Sequence, residues 1–321
     1  MERMWLALAL SWALAVLMGP PVIGALRRLR VGQAVRKEGP ARHLSKTGTP
    51  TMGGVLFLVP MLLTGLLLGG RSVPLWTVAG TTVAYALLGA ADDFLKVVRR
   101  HPQGLRARYK LLGQVLVAVA LGYVVMVILG EPPWVRVPLV DRWLYLGAWY
   151  LPFLTVVLVG TANAVNLTDG LDGLAAGTAA IAFLFYTFVN WQAGRVDLAL
   201  WCAAGVGGLL GFLRYNWHPA RVMMGDTGSM GLGAALGAVA ILSRTELLWF
   251  IAGGVFVVEA LSVMLQVAAF QTVGRRIFRM SPLHHHFELA GHGERSVVLG
   301  FWVAGALLAV VAWLAWRGVG W

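Results

Sequence analysis

Apolar stretches of about twenty residues recur along the whole chain and are separated by short polar or charged connections. A helix needs roughly 20 apolar residues to cross the hydrocarbon core of a bilayer. Inside lipid, only helices and closed barrels satisfy their own backbone hydrogen bonds, and runs of this length are typical of helices. The pattern predicts an all-α polytopic membrane protein, with residues 1–321 forming one membrane domain. Ten helices are predicted near 4–26, 51–69, 74–94, 111–130, 148–166, 173–191, 197–214, 229–243, 247–272 and 296–316.

Composition excludes several other classes of protein. Hydrophobic residues make up 59% of the chain and charged residues 12%, whereas about 25% of residues are charged in a soluble domain. The net charge of +12 lies in the connections rather than on one soluble face, so nucleic acid is not an expected partner. The single cysteine, Cys202, allows neither an internal disulfide nor a cysteine metal cluster. The first apolar run lacks a basic start and a cleavage site, so it is predicted to be a retained helix.

The distribution of lysine and arginine predicts the orientation of the helices. Nineteen of the 26 lie in the connections within 27–50, 93–112, 214–229 and 271–297, which all fall on one side of the membrane. This side is predicted to be cytoplasmic. Because the number of helices is even, both termini are predicted to be extracytoplasmic. The residues that are unusual for simple connections also collect on the cytoplasmic side, which predicts one site facing the cytoplasm. Between helices four and five, the alternating residues 136–145 predict a small hairpin.

Two adjacent carboxylates, Asp92 and Asp93, close the third predicted helix. They repel each other and face the negative end of the helix dipole. A magnesium ion or a proton would relieve both penalties, whereas a hydrated helix end would need neither. Both interpretations stay open on this pattern alone.

Two further polar groups of residues precede predicted helices six and eight. The first contains Asn163, Asn166, Asp169 and Asp172 in an apolar connection, which suits a polar ligand; a capped turn is the alternative. The second contains Asn216 and the glycine-rich segment 225–229. Free amides at a helix start can bind an anion, and the Asp226 carboxylate offers oxygen to a hard cation. A plain helix cap is the alternative for this second group.

Three consecutive histidines, His284, His285 and His286, lie in the last cytoplasmic connection. Neighbours on a helix point about 100° apart, so the three cannot all bind one zinc ion from a regular helix. Contact with a phosphate or sugar, zinc binding in a loop and a solvated run of histidines are the alternatives.

Two lysines and one acid in an apolar segment complete the candidate residues. Lys46 and Lys110 can contact phosphates as mobile point charges, or can be ordinary cytoplasmic lysines. The segment that begins at Lys46 is not a Walker loop, because its lysine precedes the glycines. Glu259 lies within predicted helix nine, where an acid indicates either a functional site or a buried hydrogen bond between helices.

Taken together, these segments resemble the phospho-N-acetylmuramoyl-pentapeptide transferases, a branch of the polyprenyl-phosphate N-acetylhexosamine-1-phosphate transferase superfamily. The resemblance extends from Lys46 to about Gly293. The motifs match in order: 46–54, Asp92-Asp93, 163–173, Asn216 with 225–229, and 282–288. The histidine triplet followed by Phe-Glu-Leu is specific to this branch. One position departs from the family, because Met223 stands where an aromatic residue is usual, which puts a uracil-stacking role there in doubt.

The resemblance implies a magnesium-dependent enzyme of the bacterial cytoplasmic membrane. Its substrates would be UDP-N-acetylmuramoyl-pentapeptide and undecaprenyl phosphate, and its products UMP and lipid I. Asp92, Asp93 and Asp226 would be catalytic, with Asp226 and Asp93 as the magnesium ligands. The implied substrate-binding residues are Lys46, Lys110, Asn163, Asn166, Asp169, Asp172, Asn216, His284, His285 and His286. Three arginines, Arg275, Arg276 and Arg279, suit an anionic membrane lipid. The oligomeric state stays open, with a homodimer among the expectations.

Two other functions are weighed against this one. A sibling enzyme that transfers N-acetylglucosamine-1-phosphate to the same lipid would share the acids and the magnesium, but the histidine triplet argues against it. An ion-coupled transporter would carry charges strung through the bilayer, whereas the charges here cluster at one face.

Overall fold

The computed structural model describes residues 1–29, 48–97, 104–140 and 142–318. Within them the chain forms twelve α-helices and one antiparallel pair of strands. The helices are α1 Glu2–Arg28, α2 Val55–Gly69, α3 Val73–Val97, α4 Ala107–Tyr123, α5 Tyr150–Thr168, α6 Leu174–Gln192, α7 Val196–Asn216, α8 Gly225–Leu242, α9 Glu246–Ala252, α10 Gly254–Val273, α11 Leu283–Leu289 and α12 Glu294–Arg317; the strands are β1 Trp134–Val137 and β2 Arg142–Tyr145.

The helices confirm the prediction of an all-α polytopic membrane protein. In the described ranges, nine helical segments are long and apolar enough to cross a membrane. Apolar α2, with 15 residues, is shorter. Together with α2, these segments correspond to the ten predicted helices.

The structure differs from the prediction at three places. Predicted helix nine is divided into α9 and α10 at Gly253, where a Cβ atom would lie 2.5 Å from the Trp249 ring. Helix α8 begins at Gly225, four residues earlier than predicted, so Asp226 lies in its first turn. The histidines lie on the short helix α11, whose seven residues are too few to show a periodic apolar pattern.

The predicted hairpin is confirmed as strands β1 and β2. Trp134 pairs with Tyr145, and Val137 with Arg142. The Arg244 guanidinium fixes the hairpin to the end of α8, because its Nη2 donates to the carbonyl oxygens of Pro132 and Trp134 at 2.9 and 2.7 Å.

Helix α8 lies at the centre of the bundle. Every residue from Thr227 to Leu242 is buried. A Cβ atom at Gly233 would lie 2.6 Å from the Cα of Ala162, so glycine lets α8 pack closely on α5. The small residues of α8 therefore serve close packing between helices.

Helix α3 approaches α8 even more closely at Gly89. A Cβ atom there would lie 2.1 Å from the carbonyl oxygen of Asp226. On another side of α8, a Cβ atom at Gly54 would lie 2.1 Å from the Cα of Gly228. The start of α8 is thus held between two glycine contacts, one of which places it beside the carboxylates at the end of α3.

We expect Gly89→Ala to destabilise the protein, because the new methyl group must push α3 away from the α8 backbone. Overpacking of this kind costs about 1–3 kcal/mol. Gly80→Ala is the matched control, since Gly80 lies on the same helix with nothing within 4 Å of its added Cβ. The two variants are compared by thermal unfolding in detergent. Equal unfolding midpoints for the two variants would show that the α3–α8 contact tolerates an added methyl group, and would contradict this prediction.

Candidate active site

The first turn of α8 is capped by a side chain from α3. Asp93 accepts hydrogen bonds from the backbone N–H groups of Asp226 and Thr227, at 3.1 and 2.8 Å, and from the Thr227 hydroxyl at 2.7 Å. These N–H groups have no partner within their own helix, and a carboxylate is favoured at the positive end of a helix dipole. Both oxygens of Asp93 are therefore committed to holding α8 against α3.

Asp92 and Asp226 share two lysines. The Nζ atom of Lys96 lies 2.6 Å from Asp92 Oδ2 and 3.0 Å from Asp226 Oδ2. Lys110 Nζ lies 2.8 Å from the same oxygen of Asp226 and 3.5 Å from Asp92 Oδ2. Two carboxylates from different helices thus direct one oxygen each at the same pair of cations. These four side chains and Asp93 together form the acidic cluster.

Asn166 extends the acidic cluster to α5. Its Nδ2 donates to Asp226 Oδ1 at 2.9 Å and to the Ser229 hydroxyl at 2.8 Å. Asn163, one turn earlier, lies elsewhere: its Nδ2 donates to Gln114 Oε1 on α4 at 2.9 Å. The structure brings Asn166 to the carboxylates and uses Asn163 to join α5 to α4.

Asp172 and Asn216 fix the loop between α5 and α6. Asn216 Oδ1 accepts the Gly173 N–H at 3.0 Å, and its Nδ2 donates to the Val222 carbonyl. Asp172 Oδ2 accepts the Ala220 N–H and lies 3.0 Å from Nδ1 of His218. Both side chains are buried. Each of them joins this loop to the segment between α7 and α8.

His218 also lies 3.3 Å from Oε2 of Glu294, at the start of α12. The ligand atoms of Asp172, His218 and Glu294 lie within 4.8 Å of one another. Neither His218 nor Glu294 is predicted from the sequence, because 122 residues separate Asp172 from Glu294 and no local motif links them.

His284 is held by the buried acid of α10. Glu259 Oε1 accepts the His284 backbone N–H at 3.1 Å, and Oε2 lies 3.0 Å from the ring Nδ1. Both side chains are fully buried. The other ring nitrogen, Nε2, is buried and has no hydrogen-bond partner among the described residues. It points at the backbone next to Asp169, since a Cβ at Gly170 would lie 2.2 Å from it.

The three histidines make three different contacts, as expected if a helix cannot direct them all at one zinc ion. His285 Nδ1 lies 2.9 Å from Glu288 Oε2, one turn later on α11. His286 Nδ1 accepts the backbone N–H of Arg279 at 3.1 Å. Of the three, only His284 is buried.

The structure shows the position of one of the two predicted lysines and adds a third lysine to the site. Lys110, which the sequence predicts as a phosphate contact, lies in the acidic cluster. Lys46 lies outside the described residues. Lys96 is not predicted from the sequence, although it lies one helical turn after Asp92, and this i,i+4 spacing could have identified it.

The donor set of the acidic cluster fits a hard divalent cation. Magnesium prefers carboxylate oxygens, and the Asp92 and Asp226 oxygens already converge on positively charged groups. The charges of Asp92 and Asp226 are balanced by the ammonium groups of Lys96 and Lys110, whose place at these oxygens a divalent cation could take.

Comparison with known proteins agrees with this geometry. Residues 75–244 match the model of glycosyl transferase family 4, and residues 46–58 match phospho-N-acetylmuramoyl-pentapeptide-transferase signature 1. A phospho-N-acetylmuramoyl-pentapeptide-transferase of Moorella thermoacetica is 51% identical over 304 residues, which cover 94% of this chain and 95% of that protein. One from Desulfitobacterium hafniense is 48% identical, with 98% of each chain covered. The chain is therefore a membrane-spanning enzyme that belongs to the phospho-N-acetylmuramoyl-pentapeptide-transferase family.

Proposed function

We propose that this enzyme transfers phospho-N-acetylmuramoyl-pentapeptide from its UDP donor to undecaprenyl phosphate, with magnesium, and forms lipid I and UMP. The observation that carries the proposal is the acidic cluster, in which Asp92 and Asp226 share Lys96 and Lys110 at one end of the helix bundle. Phosphoryl transfer needs charge neutralisation and alignment more than covalent help from the protein. The names of the relatives support the same donor group.

The carboxylates of the acidic cluster have two kinds of proposed role. Two of them bind the metal ion, and the third holds the others in position. Asp226 and Asp92 are proposed to hold magnesium, which when bound would neutralise the charge of the donor phosphates. Asp93 is the weaker candidate for a metal ligand, because both of its oxygens already accept hydrogen bonds from α8. Its role is to fix Asp226 beside Asp92. Lys96 and Lys110 are free to turn toward substrate phosphates once a metal ion takes over their contacts.

The transfer itself is proposed to be direct. An oxygen of the acceptor phosphate forms a bond to the sugar-linked phosphorus of the donor, and the bond from that phosphorus to the bridging oxygen breaks, so UMP leaves. Asp92 already accepts hydrogen bonds at both oxygens, from the Leu105 N–H and from the lysines. As a metal ligand through Oδ2, Asp92 would keep its contact with the Leu105 N–H at Oδ1, and direct transfer needs no bond between substrate and protein.

Donor recognition is proposed to involve the other predicted residues around the cluster. His284 Nε2 and the backbone near Asp169 lie together, and Asn166 connects this region to Asp226. Lys46 is proposed to contact a donor phosphate. Asp172 and Asn216 act by holding the loop in place.

The acidic cluster is proposed to face the cytoplasm, where the soluble donor is available. The connections on this side of the bundle carry most of the lysines and arginines, as the positive-inside rule requires. With α2 counted as the tenth crossing, both termini are proposed to be extracytoplasmic. No contact among the described residues favours the N-acetylglucosamine sibling or a transporter.

The proposed function is tested by incubating the purified chain with polyprenyl phosphate and either UDP-N-acetylmuramoyl-pentapeptide or UDP-N-acetylglucosamine. We expect UMP and a sugar-lipid from the muramoyl donor alone, and only with magnesium present. Product from the N-acetylglucosamine donor instead would favour the sibling reaction.

The same assay separates the roles of the three carboxylates. We expect Asp92→Asn and Asp226→Asn to lower kcat by at least about 100-fold, because each removes charge stabilisation of the kind that contributes about 10²–10³ in rate. Asp93→Asn should also lower the midpoint of thermal unfolding, since losing a helix cap costs about 0.5–2 kcal/mol. Glu2→Gln, at an exposed acid of α1, is the control. Normal turnover in both Asp92→Asn and Asp226→Asn would overturn the assignment.

Glu259 is expected to act as a positioning residue for His284. When Nδ1 donates to the carboxylate, Nε2 of the neutral ring can accept a hydrogen bond. Glu259→Gln has one acceptor oxygen for two donors, so it should raise the donor KM more than it lowers kcat. His292→Gln, at an exposed histidine beyond α11, is the control. An unchanged donor KM in Glu259→Gln would contradict this role.

A further inference from the structure

A second polar site lies at the other end of the bundle from the acidic cluster. A cavity of about 600 Å³ opens where α6 and α8 end, α7 begins and strands β1 and β2 cover the bundle. Helix α8 begins at the acidic cluster and contributes Ser243, just beyond its end, to this cavity. With 18 residues at about 1.5 Å each, the helix separates the two places by roughly 27 Å. The cavity is therefore not part of the proposed active site.

The cavity is lined by more positive than negative side chains. Arg136, Arg195 and Arg244 face it, whereas Glu131 is the one acid among the described residues of its lining. Glu131 lies 3.7 Å from Arg244. The positive charge of Arg244 is also compensated by Glu246 through a buried tyrosine. Arg244 Nη1 donates to the Tyr150 hydroxyl, and that hydroxyl donates to Glu246. Glu131, Asp197 and Glu246 also act on the charge of Arg195, but none of them forms an ion pair with its guanidinium among the described residues.

Arg195 keeps most of its hydrogen-bonding capacity. Its Nη1 donates to the Leu242 carbonyl at 2.9 Å, which is the single hydrogen bond that the guanidinium makes to the described residues. A guanidinium has five N–H donors, so four are left for another acceptor. Burial lowers the pKa of Arg195 below its ordinary value, because a charged group loses hydration there. An anion beside this guanidinium would offset that loss.

The lining also contains three tryptophans. Trp134 and Trp143, on the two strands, and Trp316, near the end of α12, all line the cavity. Tryptophan is enriched at the level of lipid headgroups, where an apolar ring with one polar edge is favoured. The ends of membrane-spanning helices lie at this same level. The cavity therefore places arginines beside tryptophans at the level of the lipid headgroups.

We propose that this cavity binds the phosphate group of an anionic phospholipid from the extracytoplasmic leaflet, with Arg195 as its main ligand. Planar guanidinium groups match phosphate oxygens with paired hydrogen bonds. A volume of about 600 Å³ is large enough for a headgroup. The acyl chains would lie outside, along the lipid-facing helices. Bound lipid would contact the hairpin, the start of α7 and the end of α8 together. It would therefore raise the free energy of unfolding.

The test measures lipid binding to the whole purified chain in detergent by native mass spectrometry. Phosphatidylglycerol is compared with diacylglycerol, which carries no phosphate, and inorganic phosphate is added as a competitor. We expect phosphatidylglycerol to bind and to raise the midpoint of thermal unfolding, and diacylglycerol to do neither. Arg195→Gln should weaken phosphatidylglycerol binding by about tenfold, since one charge-assisted contact is lost.

Two further variants make the result decisive. Arg71→Gln removes an exposed arginine from the α2–α3 connection, at the same end of the bundle, and should leave binding within about twofold of the unchanged chain. Ala193→Trp fills part of the cavity from an exposed position without removing charge, and it should weaken binding even if Arg195→Gln fails to fold. Equal losses in Arg71→Gln and Arg195→Gln would show general surface attraction and overturn the proposal. Displacement by millimolar inorganic phosphate, or equal binding of diacylglycerol, would overturn it too.

Discussion

At Gly89 the backbone of α3 lies so close to α8 that one added methyl group would meet the carbonyl oxygen of Asp226. This contact brings α3 to the positive start of α8, and Asp93 joins the two helices by accepting two N–H groups of α8. Helix dipoles and hydrogen bonds then favour the same arrangement that close packing imposes. Because Asp92 and Asp226 are carried by these two helix ends, the spacing of the acidic cluster is set by backbone packing rather than by flexible loops.

The electrostatics of the cluster follow from that spacing. An unpaired carboxylate is costly to bury, so cations stabilise Asp92 and Asp226 where these two side chains meet. In the structure Lys96 and Lys110 provide them. A divalent ion would satisfy the same oxygens and release the lysines to bind substrate phosphates. One arrangement thus accounts for both stability without substrate and the charge that phosphoryl transfer needs.

The sequence predicted the helices well, because spans of about twenty apolar residues are a local pattern. It also selected Asp92, Asp226 and Lys110, which meet in the acidic cluster. It could not assign the capping role of Asp93, since that depends on where α8 begins. Nor could it pair Glu259 with His284, because 25 residues and the end of a helix separate them. The sequence also could not predict the cavity lined by Arg136, Arg195 and Arg244, because these arginines are distant in sequence and resemble ordinary loop cations.

The central claim is that Asp92 and Asp226, rather than Asp93, form the metal site. It is tested most directly by solving the structure of the purified enzyme with Mn²⁺ and locating the ion by its anomalous scattering. We predict one ion within about 2–2.5 Å of a carboxylate oxygen of both Asp92 and Asp226, with Asp93 still bonded to the start of α8. An ion held by Asp93, or found only among Asp172, His218 and Glu294, would contradict the account.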